Sequence, residues 1–291
     1  IMCLMEKRVL LFAVLALAAR CAGAAGWARE EVAFGAHDYL ADTASFFTPV
    51  SSSSMAGVEL AVVKNPALAD AVWSVRLPWV SASPAGLWTI RPFYYHPNRL
   101  VDTSAAGLYA QRVWALATPD PDVKKRLAFG LAGAAQDTKF VYADGSSSRK
   151  TLPELAYEFQ FQLDYFKQFY LALSAAAFQY LRGVKNTAQP EASLDQNQLS
   201  YLGAFAAETD FPVWSAGFDY TRTMPDDPDS NVFLGYHYVE YMRDTPGTHV
   251  ASLGMRMKIV EKSNLELGYN LLAPGGAGRR NYYRAVFNLA F

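Results

Sequence analysis

The last eleven residues, Asn281-Tyr-Tyr-Arg-Ala-Val-Phe-Asn-Leu-Ala-Phe291, alternate in character at nearly every step. Counting back in twos from the end gives Phe291, Leu289, Phe287, Ala285 and Tyr283, an apolar and aromatic set. The interleaved set, Ala290, Asn288, Val286, Arg284 and Tyr282, carries the charge and the amide. Period-2 alternation of this kind marks a strand that is wet on one side and greasy on the other. Its length matches a tilted membrane-spanning strand of roughly 9–11 residues. The last strand of a soluble sandwich would alternate too, so the rest of the chain must decide.

Hydrophobic residues make up 52% of the chain and aromatic residues 14%, yet beyond residue 19 no apolar run approaches the length a membrane helix needs, about 20 residues. The apolar residues are instead spread in alternation. Leu155, Tyr157, Phe159, Phe161, Leu163 and Tyr165 interleave with Glu158, Gln160, Gln162 and Asp164. Ala251, Leu253, Met255, Met257 and Ile259 interleave with Ser252, Gly254, Arg256 and Lys258. Trp73 to Trp79 and Leu265 to Leu271 repeat the pattern. Apart from helices, only closed sheets satisfy their backbone in lipid. We therefore read spanning segments at approximately 56–64, 71–80, 86–95, 106–117, 126–142, 154–164, 169–181, 213–222, 231–242, 249–260, 264–272 and 281–291.

A chain that ends on such a strand, with aromatics at alternate positions and a terminal Phe, resembles the bacterial outer-membrane β-barrel proteins. The resemblance implies an all-β fold, a single closed antiparallel transmembrane β-barrel of about twelve strands. It also implies that the last strand closes the barrel and carries the assembly signal, on Tyr283, Phe287, Leu289 and Phe291, for a barrel-assembly machinery. Outer-membrane lipids are the implied surroundings, and a passive channel for small polar solutes is the leading function.

The other end of the chain agrees. Met5 to Arg8 form a basic segment and Val9 to Ala19 an apolar one, of signal-peptide proportions. Ala22, Gly23 and Ala24 offer a small-residue cleavage site, so 1–24 is expected to be a signal peptide, with Ile1 to Leu4 preceding the true start at Met5. Both cysteines, Cys3 and Cys21, fall in that excluded part, leaving neither a disulfide nor a thiolate metal ligand in the remainder. Arg20 before Cys21 disfavours a lipid-modified first residue. Residues 25–55 are expected to be a lead-in, with 51–54 as a linker, and 56–291 the barrel.

Connections in a barrel alternate between short periplasmic turns and longer external loops. Walking back from Phe291, 273–280 falls outside, 261–264 inside, 243–248 outside and 225–230 inside. Residues 182–212 then form one long external excursion, 165–168 and 118–125 are periplasmic turns, and 144–151 is external.

With the apolar set facing lipid, the lumen is lined by Arg76, Arg91, Glu158, Gln160, Asp219, His237, Arg256, Lys258, Glu266 and Arg284. A charge on the lipid face costs a few kcal/mol near the midplane, which orients these side chains inward. They read either as a filter for solutes or as a salt-bridged filling. Arg256 and Lys258, two residues apart with Arg284 nearby, predict a preference for anions if they stand in water. Pairing with Glu266 is the alternative. Trp73, Trp79, Trp88, Tyr94, Trp214, Tyr220, Tyr283, Phe287 and Phe291 suit interfacial belts.

Net charge is −1, which gives no electrostatic case for nucleic acid. No phosphate-binding glycine loop, His-Glu-x-x-His motif or acidic calcium loop occurs, so neither cofactor nor metal is expected. Membrane-embedded lipid hydrolases would require a serine beside a histidine, but His37, His96, His237 and His249 begin no His-x-Ser pattern. That reading ranks third, behind a structural or surface-binding barrel working through 182–212.

Overall fold

The computed structural model describes residues 26–35, 39–64, 72–96, 104–141, 145–166, 168–181, 189–190, 211–242, 246–275 and 278–291. Its strands are β1 (Trp27–Gly35), β2 (Tyr39–Ser51), β3 (Ser54–Lys64), β4 (Val72–Arg76), β5 (Trp79–Ser83), β6 (Gly86–His96), β7 (Ser104–Leu116) and β8 (Val123–Val141). They continue as β9 (Ser147–Tyr165), β10 (Phe169–Tyr180), β11 (Gln189–Pro190), β12 (Pro212–Met224), β13 (Asp227–Tyr241), β14 (Thr248–Val260), β15 (Ser263–Pro274) and β16 (Arg280–Ala290).

β4 and β5 are two halves of one strand between β3 and β6, broken at Leu77 and Pro78. Pro78 has no N–H to give the ladder. Its carbonyl still accepts from Gly57 N at 2.8 Å, and Leu77 N donates to Pro92 O at 3.0 Å, so the wall stays continuous. Outside it, the two residues of β11 pair with Val141 and Phe140 on β8. The rest form one closed antiparallel barrel of 14 strands. β1 meets β16 in register from Trp27↔Ala290 to Gly35↔Tyr282. The seam continues where Gly26 N donates to Phe291 O at 3.0 Å and Phe291 N to Gly26 O at 2.9 Å. Closure leaves the ring of 14 strands without the two open edges of a flat sheet, the condition a sheet must meet in lipid.

Each of the twelve spanning segments read from the sequence has its strand, and two more come from the stretch expected to be a lead-in. Residues 27–35 and 39–51 are β1 and β2, and 52–53 is the turn into β3 rather than part of a linker. The reason lies in the charge pattern: Glu30 and Asp42 sit on the same outward face as Val32 and Phe34, which hides the alternation. The proposed signal peptide 1–24 lies outside the described residues, as does 182–212 apart from β11 and residues 211–212.

At one end of the barrel the turns are short: 52–53, 84–85, 117–122, 225–226 and 261–262. Lys64, His96, Val141 and Tyr180 end their strands at the opposite end, here called the long-loop end. Large apolar side chains cover the outer wall. Leu253 is 60% exposed and Phe159 48%, with Trp79, Trp88, Ile90, Leu131, Leu173, Leu234 and Leu267 exposed around the ring. Apolar exposure on that scale is not the surface of a soluble monomer.

Candidate functional site

All ten side chains singled out from the sequence project from the inner wall. The registers place Arg256 opposite Glu266, and Arg284 opposite Gly268 and Ala33. They do not form one patch: nine fall into three groups around the middle of the lumen, and Lys258 stands apart near the short-turn end.

The first lies across the seam. Arg284 Nε donates to Glu31 Oε1 at 2.8 Å and its Nη1 to Glu266 Oε1 at 2.7 Å. Arg256 Nη2 reaches Glu266 Oε2 at 2.6 Å, and Arg29 Nη2 reaches Glu31 Oε2 at 2.6 Å. Three guanidiniums thus share two carboxylates over β1, β14, β15 and β16. Arg29 and Glu31 are not among the residues expected in the lumen, because they belong to the expected lead-in. Their own alternation, Arg29, Glu31 and Ala33 against Ala28, Glu30 and Val32, was the only available signal.

The second group spans β3 to β9. Arg76 stands 3.7 Å from Glu59 and donates to the Tyr95 hydroxyl at 3.4 Å. Arg91 lies over the Tyr109 ring at 4.7 Å. The Tyr109 hydroxyl passes over β8 to donate to Glu158, which also receives Gln160 Nε2. Gln162 in turn donates to Gln160 at 3.1 Å. Gly130 makes this bridge feasible, because a Cβ there would stand 2.9 Å from both the Glu158 carboxylate and the Tyr109 hydroxyl. These two hydrogen-bond donors support a carboxylate as buried as Glu158.

The third is Asp219 with His237, Oδ1 to Nε2 at 3.2 Å. Gly217 opposite His237 leaves the ring its space, since any Cβ would collide with the imidazole. Asp219 is 45% exposed and the Arg256 side chain 46%, so the lumen toward the short-turn end is wet.

The cationic cluster expected from Arg256, Lys258 and Arg284 does not stand free in that water. Arg256 is held by Glu266, and Lys258 lies near the short-turn end with its Nζ 2.8 Å from Asp229 Oδ2. Each positive charge faces an acid on the neighbouring strand.

Toward the long-loop end the lumen changes character. Phe93, Tyr95, Ala105, Tyr109, Ala132, Ala156, Ala176, Phe178, Val239 and Tyr241 form one buried apolar cluster. Ala33, Ala41, Val63, Val250, Leu272 and Tyr282 form a second on the remaining arc. Tyr241 ends β13, Tyr95 stands one residue from the end of β6, and Val250 and Tyr282 are each third in their strands. The inner wall is therefore charged at mid-barrel and largely apolar above it, with the buried Glu154 and Gln136 set among these side chains. The expectation that apolar side chains face lipid alone does not hold here, because on strands such as β10 both faces are apolar.

Outside, Trp73, Trp79, Trp88, Tyr94, Trp214 and Tyr283 are exposed on the outer wall. His249 is hydrogen-bonded through Nδ1 to the Tyr236 hydroxyl at 2.6 Å and packs on Tyr238. Arg112 lies over Trp88 at 5.0 Å. His37 lies outside the described residues.

No protein-family model matches the chain. No curated protein matches it either. Among solved structures it is similar to the CymD monoaromatic hydrocarbon channel, with a TM-score of 0.54 at 6% identity, covering 92% of this chain and 88% of that one. It is also similar to the KdgM porin, with a TM-score of 0.45 at 7% identity over 91% and 99% of the two chains. For OprB of Pseudomonas putida the TM-score is 0.47 at 8% identity, over 92% and 94%. At such identities the likeness to CymD speaks for the barrel fold alone.

Proposed function

We propose that this chain is an outer-membrane channel through which small solutes pass passively. The observation that carries the reading is a sheet closed on itself between β1 and β16, with apolar side chains outward and charged pairs inward at mid-barrel. A wall of that kind is stable in lipid only as a spanning barrel. The short-turn end is then periplasmic and the long-loop end external. The similar fold of a protein described as a hydrocarbon channel agrees with this reading. Tyr283, Phe287, Leu289 and Phe291 serve as the assembly signal read by the barrel-assembly machinery, and lipid surrounds the outer wall.

Arg256, Arg284 and Lys258 are each held by an acid, so the lumen discriminates by size and by local polarity more than by net charge. Nothing in the reading requires a cofactor, and the chain is read as no enzyme. The lipid-facing His249 is engaged by a tyrosine rather than a serine.

The test is swelling of liposomes loaded with purified protein. Small polar solutes, such as short sugars and amino acids, should enter faster than into empty vesicles, with rates falling as solute size grows. Swelling no faster than in empty vesicles, with the barrel folded, would overturn the reading.

A further inference from the structure

We infer that the outer wall at the short-turn end binds the phosphate-bearing headgroups of anionic phospholipids through Arg112, Lys125 and Arg222. The registers put all three on the lipid side. Arg112 pairs with Trp88 and Phe129, Lys125 with Leu116, and Arg222 with Phe169 and Val232. Trp88, Leu116, Phe129 and Val232 are exposed on that wall. The three cations also share a level. Arg112 stands four residues before the end of β7, Lys125 two after the start of β8, and Arg222 two before the end of β12. Those strand ends border the short turns 117–122 and 225–226. Among the described residues Arg112 has only the Trp88 ring, at 5.0 Å, and Lys125 and Arg222 have no side-chain hydrogen bond or ion pair.

A cation on the lipid face is costly in hydrocarbon and cheap near the boundary, where its head leaves the acyl region. The charge here is of one sign. On β6 to β10 and β12 no described acid faces outward at this end: Asp164 and Asp219 point into the lumen, and Asp120 and Asp122 belong to the turn beyond. Asp120 Oδ1 accepts from the Asp122 backbone at 2.9 Å. Aromatic rings mark the same level. Tyr165, Phe169 and Tyr220 stack in series at 5.8 and 6.1 Å beside Arg222, and such rings collect where membrane meets water. A guanidinium over an indole still carries N–H donors around its edge, suited to phosphate oxygens. Lys125 lies four residues along β8 from Phe129, the partner of Arg112. At roughly 3.3 Å per residue that is about 13 Å, too far for two side chains to grip one phosphate. Each cation therefore takes its own headgroup. A headgroup of net negative charge is favoured over a zwitterionic one, whose ammonium meets the same cations.

The test inserts refolded protein into vesicles of phosphatidylethanolamine and phosphatidylglycerol and extracts it in mild detergent. Mass spectrometry then compares the lipids that stay with the protein against those of the vesicle. The inference expects phosphatidylglycerol to be enriched several-fold over its share of the vesicle. Arg112→Gln, Lys125→Gln and Arg222→Gln combined should return the retained lipid to the vesicle's composition. Folding of that variant is checked by its mobility on a gel before and after heating. Retained lipid that matches the vesicle in the unaltered protein overturns the inference, and that comparison needs no variant at all. Enrichment that persists unchanged in the folded triple variant overturns it too, because the lipid is then held elsewhere on the wall. Neither result touches the channel reading, which the swelling of liposomes decides by itself.

Discussion

Arg284 on the last strand donates to Glu31 on the first at 2.8 Å, so an ion pair inside the lumen lies across the seam at which the barrel closes. The same guanidinium also holds Glu266, whose side chain is only 6% exposed. Replacing Arg284 by Gln leaves two inward carboxylates short of a partner. Loss of one member of a buried pair is worth about 3 kcal/mol. Arg256→Gln removes a more exposed partner of the same Glu266, which should cost no more than about 1 kcal/mol. Urea unfolding of the refolded barrel, followed by tryptophan fluorescence, should rank the two variants in that order.

Phe291 closes the seam through the backbone, exchanging hydrogen bonds with Gly26 at 3.0 and 2.9 Å. Its deletion removes that final pairing together with an element of the proposed assembly signal. Membrane insertion should fall far more than with Ala290→Ser, a small change on the lumen side opposite Trp27. Fractionation of cells making each variant checks this. Equal insertion of both would count against the signal.

Neighbouring residues on β14 test which face is which. Leu253 is exposed on the outer wall, whereas Ser252 faces Asn270 and Gly235 within the lumen. Leu253→Lys should destabilise the protein in lipid by about 2–4 kcal/mol. Ser252→Lys should cost clearly less. A reversed order in bilayer-supported unfolding would invert the assignment of the two faces.

The buried bridge from Tyr109 to Glu158 makes a third stability test. Tyr109→Phe keeps the ring beneath Arg91 but leaves Glu158 with one donor fewer. The expected cost is about 1–3 kcal/mol, read from the urea midpoint. An unchanged midpoint would mean that Glu158 draws its support elsewhere.

Much of this architecture is legible in residue order, because strands such as β14 and β15 put Leu253 and Leu267 on one face and Arg256 and Glu266 on the other. β1 and β2 escape that logic: Glu30 and Asp42 share the outward face, so polarity no longer reports sidedness there. The apolar layer of the lumen escapes it for the opposite reason. On β10, Leu171 and Leu173 face outward while Ala172, Ala176 and Phe178 face inward, and period 2 carries no information when both faces are apolar. Pairings such as Arg284 with Glu31 link residues 253 positions apart and appear only once the ring is closed.

The central claim is that the lumen conducts. Purified protein refolded in detergent, verified as a folded barrel by its heat-dependent gel mobility, should produce discrete single-channel steps in a planar bilayer bathed in potassium chloride. The apolar layer at the long-loop end should keep those steps below the conductance of an unobstructed water-filled barrel of 14 strands. A folded protein that inserts and yet gives no steps at any applied voltage would contradict the account.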